Sequence, residues 1–283
     1  MELWVIFVLL YGIIKGTRAP IKKAILADVN VLSALFGYTF IGFLVSALTV
    51  EGVFSFTPSI FVWVIVKSLA VFFAWILSFK SIKKVPVSIY GVFDMSRVVF
   101  SILFGILFLH ESLTVKTLAS LLLIILGLYF VNKNKAENKE EYNYKYIVYI
   151  LLSCFFNSVS GTLDKYIMST GEITSSALQF WFMLLLSVFY LLYILIKREK
   201  FEVKKTFTNP WLYVLSLLLV IGDRLLFIAN SDPSSQVVTM TIIKQVDVVV
   251  TILLGKLIYK EKNIIRKLAC AFIIIVGIVL SVM

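Results

Sequence analysis

Apolar runs of about 20 residues, following one another along the whole chain, restrict this sequence more than any other feature. A run of that length crosses the roughly 30 Å hydrocarbon core of a bilayer as a helix. Ten can be marked off between charges, prolines and Asn/Ser clusters: 2–21, 30–50, 59–79, 87–109, 115–131, 146–168, 175–196, 210–229, 237–259 and 265–282. With 60% of its residues hydrophobic, the chain holds more apolar surface than a water-soluble core can hide. The expectation is an all-α integral membrane protein of ten transmembrane helices in a lipid bilayer. The first run, MELWVIFVLLYGIIKG, lacks the basic start of a signal peptide and continues into Arg18, Lys22 and Lys23, so it reads as a retained helix. Cys154 and Cys270 fall inside predicted spans and read as small lipid- or core-facing residues, not as a disulfide framework or metal site.

The net charge of +11 is unevenly placed. Loops 1–2, 3–4, 5–6, 7–8 and 9–10 hold 18 Lys and Arg, from Lys22 and Lys23 to Arg266 and Lys267. The alternate loops hold Lys116 alone, beside Glu51, Glu111, Glu172 and Asp232. By the positive-inside rule the basic loops are cytoplasmic and both termini lie outside, in a multi-pass plasma-membrane protein. The basic runs are thus topology signals, with anionic-lipid contact secondary and no nucleic-acid partner implied. The polar stretch NKNKAENKEEYNYK (132–145) reads as a cytoplasmic linker between halves of five spans each, 1–131 and 146–283.

The halves are copies of one another. RVVFSILFGILFLHESLTVKTLASLLLIILGLYFV from residue 97 aligns with DVVVTILLGKLIYKEKNIIRKLACAFIIIVGIVLS from residue 247. Gly105 and Gly255, Glu111 and Glu261, Leu118 and Leu268, Ala119 and Ala269, and Gly127 and Gly277 pair at a constant offset of 150. Five is an odd number of spans, so the second copy enters the membrane from the opposite side, giving an inverted-topology repeat. Secondary transporters use that arrangement, with the substrate near mid-membrane between the repeats.

The run SIKKVPVSIYGVF followed by SILFGILFLHESLTVKTLASLLLIILGLYFV resembles the EamA-type domain of the drug/metabolite transporter superfamily. There a Pro-containing entry to the fourth helix, a Gly six residues before a Glu and a Gly late in the next helix recur. The resemblance covers both halves, most strongly 80–131 and 233–282, and implies export of amino acids and other metabolites. Two departures stand out. His110 and Lys260 occupy the place where the family often has Gly before the loop Glu, and Val98 and Val248 stand where it often has a mid-helix Pro. The second departure predicts that helices four and nine are straighter than usual. The superfamily is also often described with cytoplasmic termini, against the orientation that the loop charges of this chain give.

An ionisable side chain near mid-bilayer costs about 2.5–3.5 kcal/mol or more on insertion scales, so it faces a cavity or a partner. Near the centres of their spans lie Lys15, Lys67, Asp94, Arg97, Asp223, Arg224, Lys244 and Asp247, five cations and three anions. The offset of 150 sets Asp94 against Lys244 and Arg97 against Asp247, so the repeat inverts the charges. Across a pseudo-two-fold axis, Arg97 can then meet Asp247 and Asp94 can meet Lys244. Such a cluster either pins helices four and nine together or works as a gate or substrate contact.

Lys67 and Lys15 have no partner evident in sequence and are candidates for a substrate carboxylate or phosphate, the alternative being a hydrated cavity or snorkelling. Asp223 and Arg224 are adjacent and point apart, with Asp223 favoured for the cavity. Asn157, beside Ser158 and Ser160, reads as helix-packing glue before substrate ligand. Tyr38, Trp63, Trp75, Tyr90 and Trp181 are candidates for an aromatic cavity, although lipid-facing placement accounts for most of so many aromatics. Trp4 and Trp211 read as interfacial belt residues. The lone His110 sits at a helix end, and a proton site falls to Asp94, Asp223 or Asp247 instead.

No G-x-x-x-x-G-K-[ST] motif is present, so transport would run on a solute gradient, an exchanged counter-solute or a coupled proton. No metal, cofactor or catalytic constellation is implied. The expected function is alternating-access transport of a small polar metabolite, an amino acid or an organic anion, with export or exchange as its direction. The rival is a multidrug or quaternary-amine carrier, which needs an uncompensated acid. A monomer is expected, with a dimer as the alternative.

Overall fold

The computed structural model describes residues 2–109, 119, 122–123, 125–127, 129–130, 143–235, 240 and 243–282. His110, Glu111, Lys116, most of the predicted span 115–131 and nearly all of the linker 132–145 lie outside these residues. The described elements are helices: α1 (Leu3–Asp28), α2 (Val31–Ala47), α3 (Pro58–Ile82), α4 (Val87–Asp94), α5 (Arg97–Leu109), α6 (Tyr144–Ser169), α7 (Ser175–Lys197), α8 (Val203–Phe207), α9 (Pro210–Ser231), α10 (Val246–Tyr259) and α11 (Ile264–Val282). Five of them, α1, α3, α6, α7 and α9, are long and apolar enough to cross a membrane, and α2 is a shorter apolar helix.

Local chemistry sets the helix starts. Asn30 accepts from the Ser33 N–H at 2.8 Å, Asn143 from that of Lys145 at 2.8 Å, Thr174 from that of Ala177 at 3.1 Å and Asn209 from that of Trp211 at 3.0 Å. Each side-chain oxygen satisfies one of the donors that a helix N-terminus leaves free. Outside the membrane segments, the Asn30 N–H also reaches Glu202 at 2.9 Å and holds that carboxyl below its ordinary range.

Helix α1 outruns its predicted end at residue 21 because Pro20 does not stop it. Proline has no N–H to give the carbonyl four residues back, and here that carbonyl belongs to Gly16. The Thr251 hydroxyl of α10 supplies the missing donor at 3.1 Å, and the Tyr259 hydroxyl donates to Pro20 O at 2.8 Å. A Cβ on Gly16 would lie 2.6 Å from the Asp247 carbonyl oxygen, so glycine is what lets the α1 and α10 backbones meet at this level.

Helices four and nine are not straight, contrary to the expectation from Val98 and Val248. Met95 and Ser96 form a turn between α4 and α5, and Lys244 and Gln245 form one before α10. At both places the backbone tightens to three-residue hydrogen bonds, Val98 N to Met95 O and Asp247 N to Lys244 O, each 3.0 Å. Side chains of α6 use the carbonyls at the first break: Cys154 Sγ lies 3.5 Å from Asp94 O, and Ser158 Oγ donates to Arg97 O at 3.0 Å. Neighbouring side chains can re-satisfy a broken helix without proline, which is why the sequence pattern did not reveal the kink. Cys154 is fully buried at the break, on the core side of its two expected environments.

The chain halves interleave. Helix α1 runs along α9 and α10, α3 along α6, α2 along α7, and α4 against α10, so each of these contacts joins one half to the other. Glu261, in the turn after α10, clamps one such contact from outside the core. It accepts from the Val87 N–H at 2.6 Å, from the Ser88 N–H at 3.1 Å and from the Ser88 hydroxyl, at the start of α4. This explains the Gly-to-Glu spacing seen in sequence: a Cβ on Gly255 would sit 3.2 Å from Glu261 Oε2, so glycine leaves room for the carboxylate to fold back. Lys260 takes a left-handed φ of 51° to make that turn, a conformation that favours glycine. Glu261→Ala is expected to destabilise the protein by about 1–3 kcal/mol by leaving helix-start donors unpaired. Thermal unfolding of the detergent-purified protein checks this, and an unchanged Tm would refute it.

Candidate functional site

A cavity of about 150 Å³ lies between the halves, walled by residues of α1 to α7, α9 and α10. That is well above what a single water needs, so several waters or a small solute fit. Tyr11, Lys15, Arg18 and Lys22 line it from α1. Their spacing of four, three and four residues puts them in one stripe along that helix. Lys67, Arg97 and Lys244 complete six lining cations, against the four acids Asp94, Asp164, Asp223 and Asp247. The wall therefore carries a formal charge of +2, the value read from sequence but from a partly different set of residues.

The pairings differ from the expected ones. Lys15 Nζ lies 3.0 Å from Asp94 Oδ2 and also binds Asp247 Oδ2, so it bridges the two helix breaks. Arg97 Nη2 reaches Asp94 Oδ1 at 3.1 Å, one turn away on its own side of the break. The predicted cross-pairs Arg97 with Asp247 and Asp94 with Lys244 give way because α1, held close by Gly16, pushes an ammonium between the two acids. Lys244 Nζ sits 5.9 Å from the Tyr11 ring centroid instead.

Lys67 is not unpartnered. It is 2% exposed, lies 2.6 Å from Asp164 Oδ1, and stands between the rings of Phe182 and Phe227 at 3.8 and 5.0 Å. Arg18 Nη1 donates to Asp223 Oδ1 at 3.2 Å. Asp223 faces the cavity as expected, whereas Arg224 turns away to Gln179 Oε1 at 2.8 Å and Thr49 Oγ1 at 3.2 Å. Asn157 lines the wall and donates to Ser153 O at 2.8 Å within its own helix. The Tyr90 hydroxyl shares a 2.6 Å hydrogen bond with Ser78.

Of the aromatic candidates, Tyr38, Trp75 and Tyr90 reach the cavity. Trp63 is 40% exposed, and Trp181 packs against Phe54, Phe56 and Phe61. Trp4, expected at the interface, is buried beside Val8, Ala229 and Met240, while Trp211 is half exposed.

Arg18, Lys22 and Asp164 were missed as site residues. Arg18, near the end of the predicted span 2–21, and Lys22, just beyond it, looked like its charged flank; the passage of α1 through Pro20 to Asp28 carries Lys22 onto the same stripe as Arg18. Asp164 fell near the predicted end of its span. The sequence signal available was the continuation of the α1 charge stripe in steps of three and four.

The EamA-like transporter family matches residues 2–133 and 144–283. No curated protein matches the sequence. A protein of known crystal structure superposes with a TM-score of 0.71 over 99% of this chain and 97% of its own, at 14% identity. That likeness concerns the fold.

Proposed function

Because the chain belongs to the EamA-like transporter family, we propose that it is a secondary transporter of a small polar metabolite bearing an anionic group, an organic anion or amino acid. The observation that carries this reading is the cavity wall, whose four acids are all ion-paired while two of its six cations, Lys22 and Lys244, face aromatic rings. Both are partly buried, and a cation withdrawn from water without an ion-pair partner is stabilised by an anion entering the site.

The reading extends to ten spans in two inverted five-helix repeats, 1–131 and 146–283, with both termini outside the plasma membrane. The paired helix breaks and the contacts between halves support it, since discontinuous helices flank substrate sites in inverted-repeat transporters. In this scheme the Lys15 bridge between Asp94 and Asp247 breaks and reforms during alternating access. A coupled proton or an exchanged counter-solute drives export or exchange.

The quaternary-amine alternative fares worse. It needs a free acid and an empty aromatic cage, yet Asp94, Asp223 and Asp247 are paired and Lys67 itself fills the cage of Phe182 and Phe227.

In proteoliposomes, labelled organic acids, phosphorylated metabolites or amino acids are expected to move, with choline-like cations excluded. The screen is run with and without a pH gradient. Flux of choline-like cations alone would reverse the choice between the two readings, and absence of flux for every class beside a working control carrier would remove both.

A further inference from the structure

The junction of α1, α2 and α3 holds one corner of the cavity where donors gather without free acceptors. The Tyr38 side chain is fully buried with its hydroxyl beside the Arg18 guanidinium, and neither that hydroxyl nor Arg18 Nε meets a further hydrogen-bond partner among the described residues. Both line the cavity, as does Lys22. Lys22 Nζ lies 5.1 and 6.0 Å from the ring centroids of Phe79 and Trp75, and the Tyr38 ring packs on the same two at 5.9 and 5.3 Å. The acids that face this corner are already engaged: Asp223 by Arg18, and Asp94 by Lys15 and Arg97. A polar group withdrawn from water without a partner is costly, and here a hydroxyl, a guanidinium N–H and an ammonium share one wall. Together they match an oxyanion, which accepts from all three and is held by charge-assisted bonds.

We infer that Arg18, Lys22 and Tyr38 form an oxyanion subsite that takes the carboxylate or phosphate of the transported solute. The inference rests on the transporter reading and adds the place where the anionic end docks. The remainder of the solute then extends toward Tyr90, Ser78 and Asn157, which line the same cavity.

The test uses the full chain in phosphatidylcholine nanodiscs, with thermal unfolding followed against sodium succinate, inorganic phosphate and choline chloride at matched ionic strength. Succinate or phosphate is expected to raise the Tm and choline is not. Half-saturation should weaken roughly tenfold or more in Lys22→Gln and in Tyr38→Phe, and stay unchanged in the exposed-site control Lys80→Gln. Tyr38→Phe keeps the packed ring, so it decides the matter if Lys22→Gln fails to fold. Anion stabilisation that survives both substitutions overturns the subsite. So does a shift produced by phosphatidylglycerol in the disc and by neither soluble anion, because the bound group is then a lipid headgroup. Flux of some solute class without anion binding here refutes the subsite and leaves the transporter reading standing, whereas absence of all flux refutes that reading itself.

Discussion

Lys15→Met should be among the most damaging single substitutions in this protein, lowering stability by about 3–5 kcal/mol and abolishing transport. The ammonium stands between Asp94 and Asp247, and without it two largely buried carboxylates face each other while Arg97 pairs with Asp94 alone. Breaking a buried ion pair from one side costs more than the pair contributes, because the remaining charge stays in a medium that solvates it poorly. The same logic predicts recovery: Lys15→Met combined with Asp247→Asn removes a charge of each sign and should regain most of the lost stability. Chemical or thermal unfolding of the three proteins in one detergent measures this. A single variant as stable as the parent would show that Lys15 is not the bridge. If the double variant folds but moves no solute, the bridge belongs to the transport cycle and not only to the fold.

Lys67→Met should be comparably destabilising, again by about 3–5 kcal/mol, since it strands Asp164 in a site where Lys67 itself is only 2% exposed. Methionine fills much of the space between Phe182 and Phe227, so the loss reports the charge more than the volume. The double variant Lys67→Met/Asp164→Asn leaves no stranded charge and should approach parental stability. Its transport then separates a structural pair from the substrate contact expected of Lys67: retained flux means the pair holds α3 to α6, and lost flux in a stable protein means it touches the cargo. A double variant no more stable than the single one would sink the pairing.

Much of this architecture was written in the order of residues. Apolar runs marked the helices to within a few residues at α2, α3, α6, α7 and α9, because the bilayer imposes a length and caps such as Asn30 and Thr174 impose starts. The offset of 150 exposed the charge inversion between Asp94/Arg97 and Lys244/Asp247 before any partner was known. It also singled out Gly255 and Glu261, whose geometry accounts for their spacing.

The choice of partners was not written there. Asp94 and Asp247 were each expected to pair across the axis, and both turned instead to Lys15, because Gly16 and the Thr251 hydroxyl bring α1 against the helix break. The predicted first span stopped at residue 21, whereas α1 runs through Pro20 to Asp28, which moved Lys22 from a loop to the cavity wall beside Arg18. Asp164 found Lys67 across nearly a hundred residues of chain. Periodicity and repeats record what each segment must do alone in a membrane; which charge neutralises which depends on how closely helices far apart in sequence approach, and only the packed structure sets those distances.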